Sequence, residues 1–166
     1  MGKIISKQNN ADTETQLLNS IAKAERTIVP ARSGLSRLLR GEETDEEMLK
    51  RITSNKKAFE ELGDLFGKLL NSESGPIGYV LAHRGTMVDD AKKIYGIDLS
   101  AQYEKMEKDR YFLPGGMIGS GGFSVEVVKD SEANREIAKS IVHTLKEYCQ
   151  SKAILSSFEL NTKIGE

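Results

Sequence analysis

The chain has 166 residues, 30% of them charged and 38% hydrophobic, with no tryptophan and a formal net charge of -1. That balance suits one soluble domain with its own core and excludes the global basic footprint of a nucleic-acid binder. One cysteine, Cys149, and two histidines, His83 and His143, exclude an internal disulfide and a zinc cluster. No apolar run approaches the ~18 residues that a membrane span needs.

The chain opens Met-Gly-Lys-Ile-Ile-Ser-Lys. Gly2 with Ser6 fits the N-myristoylation pattern, which makes Gly2 a lipidation candidate. The acyl group would go onto its free amine, with Lys3 and Lys7 near anionic headgroups. One acyl chain gives marginal membrane binding, so a second signal is expected. Through Arg40 there are seven basic residues against three acidic ones, an excess of +4. An anionic membrane surface is therefore a candidate partner.

Residues 1–12 read as a flexible polar leader. Thr13 with Gln16 makes a capping box, and Leu17, Ile21, Ala24 and Ile28 form a helical stripe that Pro30 ends. Residues 31–40 form a short amphipathic piece. Leu35, Leu38 and Leu39 share one side, and Arg32, Arg37 and Arg40 offer either a solvated face or a basic surface for phosphates. The organising stretch is Thr44–Asn71. Thr44 and Glu47 form a second capping box, with Asp45 and Glu46 favourably placed at the positive end of the helix dipole. Met48, Ile52, Phe59, Leu62, Phe66 and Leu69 recur at heptad spacing, and Asn55 occupies one position of that seam. Asn55 there either fixes register or lies at the wet edge of the stripe.

Beyond Gly75 and Pro76, residues 77–82 are apolar, and periodicity leaves strand and helix open. His83, Arg84 and Gly85 follow. This trio could serve acid–base or phosphate chemistry, or simply form a loop. Thr86 is placed to cap a helix ending at Gly96, and Ser100 another helix carrying Tyr103, Met106 and Tyr111. Residues 114–122 contain five glycines. Glycines let backbone N–H groups approach a phosphate, so Gly119, Gly121 and Gly122 form a candidate phosphate-binding loop, with His83 and Arg84 as helpers. No Gly-Lys-Ser/Thr closes it as a Walker A loop, and a strand follows where a Rossmann loop has a helix. Gly119, Gly121 and Phe123 resemble the glycine-rich loop of protein kinases, with Ser124 in the third glycine's place. Only 44 residues follow Gly122, without His-Arg-Asp or Asp-Phe-Gly, which excludes a complete kinase. Phe123, Val125 and Val127 alternate as in a strand, and a last long helix is expected over Glu132–Gln150. Cys149 falls on the apolar side of that helix, where a core thiol is expected.

The expected fold is mainly α, a helical bundle with a minor β element near residues 118–129. Residues 13–160 are expected to form one domain and 161–166 a frayed tail. No acid–base pair, activated nucleophile, metal cluster or cofactor motif emerges, whereas wide helical stripes do. The sequence therefore points to a non-enzymatic interaction protein with a protein partner or self-association, cytoplasmic or at the cytoplasmic face of a membrane. The alternative is a small nucleotide- or phosphate-binding domain or enzyme built on loop 114–122.

Overall fold

The computed structural model describes the backbone of residues 2–115 and 121–164, and the side chains of 13–115 and 121–162. In the described residues the chain is mainly α with a minor β element. The helices are α1 (Gly2–Arg26), α2 (Leu35–Arg40), α3 (Asp45–Asn71), α4 (Gly75–His83), α5 (Met87–Tyr95), α6 (Ser100–Glu104) and α7 (Glu132–Ile164). Strands β1 (Lys108–Leu113) and β2 (Phe123–Val128) pair antiparallel between α6 and α7.

Capping chemistry accounts for several of these boundaries. At the start of α3 the Glu47 amide donates to Thr44 Oγ1 at 3.1 Å, and the Thr44 hydroxyl donates to Glu47 Oε1 at 3.2 Å, the reciprocal capping box. Pro76 sits in the first turn of α4, where its missing N–H costs nothing, so residues 77–82 are helix rather than strand. Gly96, at φ 70°, closes α5 and donates to the Ala91 and Lys92 carbonyls. The Asn134 amide donates to Ser131 Oγ at 3.2 Å, which caps α7. Two boundaries differ from the sequence reading. α1 begins at Gly2 and takes in the stretch read as a leader, with Thr13 inside the helix. α7 continues beyond Gln150 to Ile164.

The chain divides into two compact units, Met1–Lys68 with Thr144–Glu166, and Leu69–His143. The sequence reads as a single domain because no linker marks this division: the breaks fall inside the continuous helices α3 and α7. In the first unit the core comprises Ile21 and Ala24 of α1, Ile52, Phe59, Leu62, Leu65 and Phe66 of α3, and Leu145, Cys149 and Ala153 of α7. The Phe59 and Tyr148 rings meet edge to face, 6.2 Å between centroids, and Gly63 lets Gln150 come close to α3. Burial of each such aliphatic or aromatic side chain stabilises by about 1.5–3 kcal/mol. In the second unit the core comprises Leu69, Ile77, Tyr79, Val80, Met87, Tyr95, Leu99, Met106, Val128, Ile141 and Val142, among others.

The second unit corrects one expectation. The helix expected from Ser100 through Tyr111 ends at Glu104, and residues 108–113 form β1. β2 supplies ladder hydrogen bonds to this segment, and a pairing ten or more residues away leaves no trace in local periodicity. Lys108 pairs with Val128, Tyr111 with Val125 and Leu113 with Phe123.

Candidate functional site

His83 and Arg84 end α4. His83 Nδ1 lies 3.1 Å from Asp90 Oδ2, and its ring packs at a tilt of 56° against Tyr79, 4.4 Å between centroids. The Thr86 hydroxyl donates to the His83 carbonyl at 2.6 Å and reaches Asp90 Oδ2 at 3.1 Å. These contacts join the end of α4 to the first turn of α5. Arg84 takes the left-handed conformation, φ 44° and ψ 49°, that turns the chain between the two helices. The trio thus has a structural role as a helix–helix corner.

Gly119 lies outside the described residues, so the full candidate loop cannot be assembled from them. Gly121 has open space around it. A Cβ on Gly122 would overlap the Phe112 ring and the Leu113 carbonyl oxygen. Gly122 is therefore required by close passage of the two strands at the hairpin's end. Gly122→Ala is expected to destabilise the hairpin by about 1 kcal/mol, because a backbone oxygen cannot swing aside, and Gly121→Ala to be neutral. Hydrogen exchange of the β1 and β2 amides distinguishes the two. Equal effects would mean that the close passage at Gly122 does not form in solution.

The hairpin itself is held by Asn134, a residue the sequence reading passed over. Its side chain is fully buried at the start of α7. Oδ1 accepts from the Glu107 amide at 2.8 Å, and Nδ2 donates to the Glu107 carbonyl at 2.8 Å and the Lys129 carbonyl at 2.9 Å. One carboxamide thus clamps the residues just before β1 and just after β2. The only signal was an Asn three residues into a Ser-capped helix. Further out, Arg110 and Glu126 pair across the strands at 2.7 Å, and the guanidinium bond holds the Glu126 carboxyl below the usual carboxylate range. Tyr111, Leu113, Phe123, Val125 and Val127 share one face by register, and of these only Val125 is even half-buried.

In the first unit, Asn55 is buried and does not lie at a wet edge. Its Oδ1 accepts from the Val29 amide at 2.8 Å and its Nδ2 donates to the Val29 carbonyl at 2.7 Å. This clasp fixes the segment after α1 against α3. Arg32 is held by the carbonyls of Arg40, Gly41 and Glu42 and by the Glu47 carboxylate. Arg51 grips both oxygens of Glu43, at 2.8 and 3.1 Å, and so keeps that carboxyl below the usual range. Arg32, Glu43, Glu47 and Arg51 line a cleft of about 700 Å³ between the 29–40 segment and α3, together with Ser36, Arg40 and Lys50. Its two carboxylates are each engaged by an arginine, so Arg40 and Lys50 add unbalanced positive charge.

Cys149 is fully buried, and its thiol is pushed up to about 12, by burial first and by the neighbouring Glu25 charge second. It is a core thiol. Among the described residues no three acidic, histidine or cysteine side chains gather as metal ligands, and no helix is long and apolar enough to cross a membrane.

Among the described residues, two helical surfaces carry clusters of exposed apolar side chains. On α2, Leu35, Leu38 and Leu39 are 68%, 82% and 75% exposed. On α7, the buried stripe runs through Ala138, Ile141, Leu145 and Cys149 to Ala153, while Ile154, Leu155 and Phe158 are 64%, 54% and 71% exposed. Phe158 also borders a small notch against Met48 and Ile52 of α3. No family model, curated protein or solved structure matches the chain.

Proposed function

We propose that this is a non-enzymatic interaction protein, an adaptor, structural component or effector, that presents helical surface to a protein partner or to a second copy of itself. The observation that supports this reading is the exposed apolar end of α7. Ile154 and Phe158 are one helical turn apart with Leu155 beside them, on a helix whose other face is already packed. A surface helix that has satisfied its own core has no folding reason to carry a second apolar group. A cytoplasmic location, with a tether to an anionic membrane through Gly2, belongs to the same reading. Intact-mass measurement of native protein tests the acyl group.

Wild-type protein is expected to self-associate or to hold a partner in stoichiometric amount by light scattering. Ile154→Glu with Phe158→Glu should abolish this while leaving the circular dichroism unchanged, because neither side chain contributes much to the core. A wild-type protein that is strictly monomeric, with no co-purifying partner, would sink the proposal.

A further inference from the structure

The cleft between the 29–40 segment and α3 is rich in donors and short of acceptors. Helix α2 hangs between Gly34 at φ 54° and Gly41 at φ 79°, values that side-chain-bearing residues seldom adopt. In that pose Ser36 and Arg40, four residues apart on one side of the helix, line the cleft, while Leu35, Leu38 and Leu39 stay exposed outside it. Lys50, Arg51 and Ser54 line it from α3, and Val29, Pro30 and Ala31 add an apolar stretch.

Four cations line the cleft, Arg32, Arg40, Lys50 and Arg51, against two carboxylates, Glu43 and Glu47, which leaves +2. Glu42, Asp45 and Glu46 are near in sequence but do not line it. Both lining carboxylates are already used. Glu43 accepts from Arg51 with both oxygens. Glu47 accepts from Arg32 with one oxygen and from the Thr44 hydroxyl with the other. The donors are not used up. Among the described residues the side chains of Arg40 and Lys50 make no hydrogen bond or ion pair, and the hydroxyls of Ser33, Ser36 and Ser54 have no partner. Arg51 bonds Glu43 through Nε and Nη2, which leaves Nη1 without an acceptor.

A group that fits these walls must bring negative charge and several acceptors together. A phosphate monoester carries about two negative charges at neutral pH and three strong acceptor oxygens. That matches the two unbalanced cations and the hydroxyls beside them, whereas a carboxylate brings one charge and two oxygens. The cleft volume of about 700 Å³ falls within the roughly 300–1,000 Å³ of small-molecule sites, so an organic body has room against Val29, Pro30 and Ala31.

We propose that this cleft binds a small organic phosphate monoester, with Arg40, Lys50 and Ser36 holding the phosphate and Val29, Pro30 and Ala31 flanking the organic body. The site requires neither an acyl group on Gly2 nor association through α7. The test is calorimetric titration of full-length protein with phenyl phosphate, inorganic phosphate and benzoate. Phenyl phosphate is expected to bind more tightly than inorganic phosphate and at least tenfold more tightly than benzoate. Its affinity should fall as pH drops through the second phosphate ionisation, at about 6, and should weaken with added salt. Arg40→Gln with Lys50→Gln should weaken phenyl phosphate at least tenfold with unchanged circular dichroism, because both residues are exposed. As a second measurement, backbone amide resonances of Ser36, Lys50 and Ser54 should shift on titration while those of β1 and β2 stay in place.

Absence of phenyl phosphate binding overturns the proposal, as does binding that survives the Arg40→Gln/Lys50→Gln change. Benzoate binding as tight as phenyl phosphate would leave a general anion attractor and also overturns it. So do amide shifts confined to Gly121, Gly122 and the hairpin, which would assign the phosphate to the glycine loop instead.

Discussion

Asn134→Ala is expected to lower folding stability by about 2–3 kcal/mol, because three backbone groups lose at once the partner that a fully buried side chain supplies. The Glu107 amide and the Lys129 carbonyl have no other described partner, and the Glu107 carbonyl keeps only the Lys129 amide at 3.0 Å. The cost falls first on the hairpin. A two-stranded ribbon is marginal in water, and β1 and β2 depend on this clamp, on Val128 in the core and on surface ion pairs that are individually weak. Amide exchange across β1 and β2 should therefore accelerate more than exchange in α5. Asn134→Asp tests the assignment, since a carboxylate can accept from the Glu107 amide but cannot donate to either carbonyl. It should be nearly as damaging at neutral pH and partly recover in acid, where the protonated group regains one donor. A urea midpoint unmoved by Asn134→Ala would mean that the clamp is not formed in solution.

Asn55→Ala should cost about 2 kcal/mol, the worth of two hydrogen bonds at a site from which water is partly excluded. The figure is smaller than for Asn134 because two hydrogen bonds are lost rather than three. The larger consequence is local. With Val29 released, the path from α1 to α2 is held by Arg32 alone among the contacts described above. The pose of α2 over its cleft should loosen, seen as faster exchange at Leu38 and Gly41, whose amides donate to Gly34 and Arg37. Asn55→Asp retains acceptance from the Val29 amide but sets a carboxylate against its carbonyl, and should behave like alanine. If Asn55→Ala changed oligomeric mass without changing stability, Asn55 would be a seam residue after all.

Much of the helical framework is legible in the chain itself. The stripe from Met48 to Leu69, the Thr44–Glu47 box, Gly96 after α5 and the apolar side of α7 are short-range patterns. Helix periodicity and capping are chemistry between residues three or four apart, so neighbours suffice to specify them. The alternation in Phe123–Val128 exposes β2 for the same reason. β1 is different: Lys108–Leu113 becomes a strand because β2 lies beside it, and nothing in its own spacing declares that. The division into two units is hidden because it interrupts no helix.

The roles of the polar residues were decided only by tertiary structure. Asn55 and Asn134 look alike as isolated polar positions on helices, yet each satisfies backbone groups more than twenty residues away. Gly122 reads as part of a phosphate loop until the Phe112 ring is placed over it. Most of all, the leucines and arginines of 31–40 announce an amphipathic helix but not which way it faces. Amphipathicity is a property of six consecutive residues. Orientation depends on two glycine dihedrals, on the carbonyls that hold Arg32, and on a cleft whose far wall is α3.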